Sequence, residues 1–145
     1  MSLKAYLSNK KYHCIKLKKT ATNHFEIKAK INGKKGRFIL DTGASNSCVG
    51  FDEIEKFNLL TEASEHKAAG AGTTEIDTHI SKKNKIKIGD YTLKKVNLVL
   101  LDLTHINNAL TKQDANAVNG IIGADILEKG KAVIDYGKQK LYLLK

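Results

Sequence analysis

Apolar residues stand at every second position from Phe25 to Ile31, and the dipeptide Asn32-Gly33 follows immediately. A period of two places the apolar side chains on one face of an extended strand, because successive side chains of a strand point to opposite faces. Asn-Gly is the dipeptide most typical of a two-residue hairpin turn. This segment therefore predicts a half-buried strand that turns back at once into a second strand, residues 36–40.

Short segments of the same kind recur along the chain, and helical patterns are few and brief. Further strands are predicted at residues 13–18, 86–93 (a hairpin), 96–101, 120–122, 132–135 and 141–144, with a glycine-tipped hairpin over residues 68–76. Short helices are predicted at residues 52–57, near 106–110 and at 124–129. The chain has 145 residues and no proline, so we expect a single all-β domain, barrel or sandwich-like.

The positive charge of the chain is unevenly placed. The net charge is +10, and residues 1–40 hold ten lysines and Arg37 against one acid, Glu26. One interpretation is a basic face for nucleic acid or acidic partners. The other is lysine on exposed strand edges, where it discourages edge-to-edge aggregation. The second is favoured, because the lysines alternate with apolar residues and arginine, the usual base-reading residue, is nearly absent. We therefore do not expect a nucleic-acid partner.

The sequence gives little indication of a metal site, a disulfide or a membrane-spanning segment. Cys14 and Cys48 form no CxxC pair, and the five histidines show no metal-ligand spacing, so we expect no metal site and no cofactor. No apolar run approaches the length of a membrane span, and the first residues lack the apolar core of a signal peptide. The expectation is a cytoplasmic protein with no membrane partner.

The stretch RFILDTGASNSCVG, residues 37–50, carries the chemistry. It leads an apolar strand directly into a carboxylate, Asp41, and then into a turn of small residues. An aspartate beside glycine is by itself most often a turn former. Here a predicted short helix follows, then the glycine-rich hairpin, and later the apolar strand Ile121-Ile122-Gly123, which leads into another helix.

That order resembles the retropepsin-like aspartic peptidases, the single-domain branch of the family that includes retroviral proteases, and most of all its bacterial members. The resemblance extends over residues 24–144, with residues 1–23 as a basic N-terminal extension of a single domain, 1–145. It implies the acid-protease fold, a closed β-barrel with one or two short helices and a flap hairpin. Ile121-Ile122-Gly123 would be the strand behind the catalytic loop.

The resemblance also implies the site residues. Asp41-Thr42-Gly43 matches the catalytic signature, with Thr42 expected to lock two such loops together through its hydroxyl. The substrate-binding residues implied are Ala44 and Ser45 beside the catalytic triplet, and Ala69, Gly70, Ala71 and Gly72 at the flap tip.

Peptide hydrolysis of this kind needs two carboxyl groups, one as base on water and one, protonated, to polarise the carbonyl. The chain contains one Asp-Thr-Gly, and none of the other seven aspartates repeats it. The chain is therefore identified as an aspartic endopeptidase acting on peptide or protein substrates, with an Asp41/Asp41′ dyad across a homodimer. Asp125 is interpreted as a helix cap or local ion-pair partner, and residues 141–144 either as an interface strand or as ordinary core.

Two alternatives stay open. The same fold with a silent cleft would bind extended peptides without cleaving them. The less favoured alternative is a basic nucleic-acid-binding β domain that uses the first 40 residues.

Overall fold

Strands are the main regular elements of the chain, and the helices are few and short. The structure, a computed structural model, describes residues 1–63, 68–70, 73–76 and 78–145. The strands are β1 (Tyr12–Lys16), β2 (Lys18–Lys19), β3 (Phe25–Ile31), β4 (Lys34–Leu40), β5 (Cys48–Gly50), β6 (Thr61–Ala63), β7 (Ala68–Gly70), β8 (Thr73–Ile76), β9 (His79–Ile88), β10 (Tyr91–Leu101), β11 (Gly120–Ile122), β12 (Val133–Asp135) and β13 (Lys140–Leu144). The helices are α1 (Leu3–Asn9), α2 (Thr104–Lys112) and α3 (Ala124–Lys129).

Six strands close into a barrel, which confirms the predicted fold class. β3, β4, β11, β5, β10 and β9 pair in that order, and β9 pairs again with β3. β4 and β11 are parallel, as are β5 and β10, and the other pairs in the ring are antiparallel. Closure pairs both edges of each of the six strands.

The barrel interior is filled by the apolar residues of the alternating strands. In β3, Ile27 and Ile31 are 1% and 0% exposed, whereas Lys28 and Lys30 between them are exposed. Burial of each such apolar side chain is worth about 1.5–3 kcal/mol. The predicted turn is confirmed, because Asn32 and Gly33 both have positive φ and join β3 to the antiparallel strand β4.

The two ends of the chain form a second sheet together. β13 lies between β1 and β12, so both of its edges are paired within the chain. Leu141, Tyr142 and Leu143 are buried, at 0%, 2% and 0% exposure. Of the two roles considered for residues 141–144, the structure therefore shows the core role and not an interface strand.

The helical predictions have mixed outcomes. α2 and α3 are confirmed near the predicted positions, and α3 ends at Lys129 with Gly130 as its C-cap residue. The helix predicted over residues 52–57 is wrong: a 3-10 turn at Phe51–Glu53 is followed by turns that end at Asn58, whose φ is positive. Phe57 is packed into the hydrophobic core, where it is 0% exposed, and this burial sets the local path of the chain. No helix in the described part of the chain is long and apolar enough to cross a membrane.

Candidate active site

Asp41 lies at the end of β4, where the barrel strand gives way to a loop. The three residues before it, Phe38, Ile39 and Leu40, are buried, whereas the Asp41 side chain is half-exposed. The Asp41 amide donates a hydrogen bond of 2.9 Å to the carbonyl of Ile122 on the parallel neighbour β11. The strand pairing thus fixes the backbone from which the carboxylate projects.

The turn after Asp41 holds the carboxylate from its own side. The Gly43 amide donates to Asp41 Oδ1 at 2.9 Å, and the Ala44 amide donates to the Asp41 carbonyl at 3.2 Å. A backbone donor to a carboxylate oxygen restricts rotation of the carboxyl group. Within the described residues Oδ1 has this donor while Oδ2 has none, which leaves the second oxygen available for chemistry.

Residues 121–123 pack directly behind this loop. The Ala124 amide donates to the Ala44 carbonyl at 2.7 Å. A Cβ atom on Gly123 would lie 2.6 Å from the same carbonyl oxygen, closer than real Cβ contacts come. Glycine is therefore required at position 123 to let the strand approach the loop.

A buried polar link that the sequence does not reveal ties the loop to α3. The Ser47 amide and hydroxyl both donate to Asp125 Oδ1, at 3.0 and 2.7 Å. The Gly123 amide in turn donates to Ser47 Oγ at 2.8 Å, and Ser47 is 0% exposed. The interpretation of Asp125 as a helix cap is wrong, because its carboxylate bonds to a residue 78 positions away. A serine beside the apolar strand β5 was the only signal available in the sequence.

Cys48 follows this link and is a structural residue. The pKa of the Cys48 thiol is raised to about 12, mainly by burial and to a smaller extent by the charges of Asp125 and Asp41, while a backbone hydrogen bond from Ile121 acts in the opposite direction. A thiol with so high a pKa is protonated at neutral pH and is a poor nucleophile. The side chain therefore serves packing.

Thr42, Gly43 and Ser45 are exposed, and Ala44 is half-exposed. Thr42 lines a cavity of about 370 Å³ together with residues of α3 and the segment after it, among them Ala132 and Ile134. Within the described part of a single chain, the Thr42 hydroxyl has no hydrogen-bond partner, so the expected lock is not made inside one chain.

The flap residues are described in part. β7 and β8 pair as antiparallel strands, which confirms the two arms of the glycine-tipped hairpin, and Ala69 and Gly70 belong to β7. Ala71 and Gly72 lie outside the described residues.

One acidic residue, Asp41, is present between Leu40 and Cys48. Over the residues that the structure describes, no group of three or more His, Cys, Asp or Glu side chains is placed to hold a metal ion. The chemistry that this loop offers is that of a half-exposed carboxylate on a rigid support.

Comparisons with known proteins agree with this arrangement. The family model described as aspartyl protease matches residues 27–126. A search of curated proteins gives no match.

Three solved structures share the fold at low sequence identity. A retropepsin-like aspartic protease from Rickettsia conorii has a TM-score of 0.63 and 20% identity, covering 91% of this chain and 90% of the other. The EIAV protease complexed with the inhibitor HBY-793 has a TM-score of 0.58 and 19% identity, with 76% and 90% covered. The retroviral protease-like domain of Ddi1 from Leishmania major has a TM-score of 0.58 and 16% identity, with 81% and 86% covered.

The family match spans the Asp41 loop, the flap arms and the strand behind the loop. With the closed barrel and the supported carboxylate, it shows that this chain belongs to the aspartyl protease family and is an aspartic-type endopeptidase of retropepsin-like fold.

Proposed function

We propose that the chain hydrolyses peptide bonds as a homodimer in which Asp41 and Asp41′ form the catalytic dyad. The observation that carries the proposal is the Asp41 loop: a half-exposed carboxylate held by the Gly43 amide and supported from behind by Gly123. Each chain supplies one such loop, and the reaction requires two carboxyl groups.

The two carboxyl groups would share a single proton. Close carboxyls share one proton, because a second negative charge nearby is unfavourable, and they titrate as a pair. The ionised member takes a proton from water, and the resulting hydroxide attacks the peptide carbonyl carbon. The protonated member gives its proton to the carbonyl oxygen. The carboxyl that took the proton from water then gives it to the departing nitrogen as the C–N bond breaks. A hydroxyl of the tetrahedral intermediate returns its proton to the other carboxylate as the carboxylic acid product forms, so the dyad again holds one proton.

The surroundings of Thr42 support self-association at this loop. Its hydroxyl has no partner within the described residues, and beside it lies the 370 Å³ cavity walled in part by Ala132 and Ile134. In a two-fold dimer the same patch meets itself, so Thr42 of each chain would find a partner in the other loop. The dimer contact is proposed to lie here, since β13 is enclosed within its own chain.

Substrate contacts are proposed on both sides of the dyad. The half-exposed Ala44 and the exposed Ser45 would line the cleft floor. The β7–β8 hairpin, with Ala69, Gly70, Ala71 and Gly72 at its tip, would cover an extended peptide and hydrogen-bond its backbone.

A subunit-mixing assay with Asp41→Asn tests the proposal. The variant alone should lose peptide cleavage, by about a thousandfold or more, since catalysis of this class rests on the acid–base pair. When wild type is mixed with an equal amount of the variant and subunits exchange, activity per wild-type chain should fall to about half, because half of those chains join an inactive partner.

Asp114→Asn is the matched control. Asp114 is exposed and has a positive φ that asparagine adopts readily, so activity and stability should not change. Full activity of Asp41→Asn would overturn the assignment. Activity per wild-type chain that is unaffected by mixing would overturn the shared dyad. A wild-type chain that binds peptides without cleaving them would point instead to a silent binding module.

A further inference from the structure

A row of three lysines crosses the outer face of the barrel. Lys30 on β3 is opposite Lys35 on β4 and, on its other side, opposite Lys87 on β9. All three side chains are exposed. Like charges directly opposite each other on neighbouring strands destabilise a sheet. The row therefore costs stability, and arrangements that cost stability are expected at functional sites.

The row continues into a cavity. Arg37 is opposite Lys28 in the next row of β4 and β3, and both face the same hollow of about 780 Å³. The walls are completed by the Gly89-Asp90 turn and by the segment containing Asn119. The basic residues that line the cavity are Lys28, Lys30, Lys35, Arg37, Lys56 and Lys87. Among its lining residues Asp90 alone is acidic.

Protection of open strand edges does not account for these lysines. β3, β4 and β9 are members of the closed barrel, and each has both edges paired. The interpretation favoured by the sequence, lysine on exposed edges, therefore does not apply to Lys30, Lys35 and Lys87. Their shared position on one face is a consequence of register, and it concentrates positive potential over the cavity.

The cavity is separate from the proposed dyad. Arg37 is the lining residue of β4 nearest to the loop, and it lies four residues from Asp41 in sequence. At about 3.3 Å per residue, that separation is roughly 13 Å. A ligand in the cavity therefore does not touch the Asp41 loop of the same chain.

The composition of the cavity selects the ligand chemistry. Six basic side chains around one acid favour an anionic ligand, and lysine binds phosphate oxygens as a compact point charge. The one arginine here is already engaged, because Arg37 Nε lies 3.8 Å from the buried carboxylate of Glu26. No aromatic side chain is among the lining residues, so the cavity offers no stacking platform for a base. A volume of about 780 Å³ suits a small ligand.

We propose that this cavity binds a chain of phosphates, as carried by inorganic triphosphate or by the phosphate end of a nucleoside triphosphate. The proposal is independent of the proposed dyad. It is tested by calorimetric titration of the full-length protein with sodium triphosphate, at low and at high salt. Wild type should bind, and affinity should fall as salt rises, because exposed charges are screened.

The variant pair Lys30→Gln/Lys87→Gln should lose at least about tenfold in affinity, since two of the central charges are gone. The matched control is Lys4→Gln/Lys138→Gln, which removes the same charge from exposed positions outside the cavity and should lose less than about twofold. All four lysines are exposed, so both variants should fold, and thermal melting checks this. When triphosphate is added to wild type, the largest changes in backbone amide NMR chemical shift should be at Gly36, Gly89 and Asn119.

Several results would overturn the proposal. Equal loss of affinity in both variant pairs would mean diffuse attraction by net charge. Orthophosphate that binds as tightly as triphosphate would exclude recognition of a chain. Binding of a poly-glutamate peptide or a single-stranded RNA more tightly than triphosphate would assign the face to another class of partner. ATP should bind within about threefold of triphosphate, and binding that is tenfold tighter or more would show base recognition that this cavity does not provide.

Discussion

The two ends of β4 differ in how their charged side chains are arranged. At one end, Asp41 is a single charge held by named hydrogen bonds from Gly43 and backed by the buried Ser47–Asp125 link. At the other end, Lys35 belongs to a cluster of like charges that the register brings together, with one acid among the residues lining the cavity.

The difference separates two kinds of site. The acid end depends on position, because proton transfer requires groups within hydrogen-bond reach of the reacting atoms. The basic end depends on summed potential, which survives the loss of any one lysine. Substitutions at the acid end should therefore have steep effects, and substitutions at the basic end graded ones.

The largest expected effect concerns the buried thiol at the acid end. With a pKa of about 12, Cys48 has roughly a thousandfold less thiolate at pH 8 than an ordinary thiol. Cys14 is half-exposed. Iodoacetamide should therefore label Cys14 rapidly and Cys48 only after unfolding, as measured by mass spectrometry with and without denaturant. Comparable rates for both thiols in the native protein would contradict the closed packing described for β5.

The same raised pKa gives a stability effect with a defined sign. The ordinary pKa of a cysteine thiol is 9.0 and the folded-state pKa of Cys48 is about 12, so the folded chain binds the proton more tightly than the unfolded chain. The stabilising contribution is present in full below about pH 9 and falls as pH rises toward 12. Between pH 8 and pH 10, the free energy of unfolding measured with urea should fall less for Cys48→Ala than for wild type.

The next effect contrasts one glycine from each end. A Cβ at Gly123 would lie 2.6 Å from the backbone carbonyl of Ala44, whereas a Cβ at Gly36 would meet the rings of Phe38 and Phe57 at 2.9 Å. Rings can shift and a hydrogen-bonded backbone cannot, so Gly123→Ala should cost about 3 kcal/mol and Gly36→Ala about 1 kcal/mol.

Denaturant unfolding measures both free energies, and peptide cleavage should fall at least tenfold for Gly123→Ala only. A larger loss of stability for Gly36→Ala would reverse the comparison.

Removal of the buried hydroxyl should have a somewhat smaller effect. Ser47→Ala leaves the Gly123 amide without its acceptor and takes one of two donors from Asp125. An unsatisfied buried group costs about 1–3 kcal/mol, so we expect a loss of about 2 kcal/mol in the free energy of unfolding. The exposed neighbour Ser45→Ala serves as control and should stay within about 0.5 kcal/mol. Equal effects at the two serines would remove the case for a buried link.

The smallest effect is a gain at the basic end. Lys30→Gln relieves repulsion from Lys35 and Lys87 in the absence of ligand, and it should raise the free energy of unfolding by about 0.5 kcal/mol. The exposed α1 residue Lys4 provides the control, since Lys4→Gln should leave stability unchanged at low salt. The gain should fade as salt rises, and a loss of stability for Lys30→Gln would show that the row is not repulsive.

The sequence reveals features that are local and hides those that depend on distant pairing. The β3–β4 hairpin can be predicted from the alternation of apolar residues and from Asn32-Gly33. Asp41 can be picked out as a site residue because its neighbours form a short motif. The Ser47–Asp125 bond joins residues 78 positions apart, and no periodicity predicts such a contact.

The lysine row is hidden for the same reason. Lys30 and Lys35 belong to one hairpin, but Lys87 joins them only because β9 closes the barrel on β3. The error at residues 52–57 has another cause: Asp52 and Glu53 favour a helix start, yet burial of Phe57 decides the local path.

The sheet formed by the two ends of the chain has a consequence for the order of events during synthesis. Tyr12 pairs with Leu144, and Lys16 with Lys140. A ribosome adds about 5–20 residues per second, so β13, the strand that β1 pairs with, is synthesised roughly ten seconds after β1. The barrel hairpin β3–β4 can close long before that. β1 is therefore synthesised before the barrel strands and yet pairs after them.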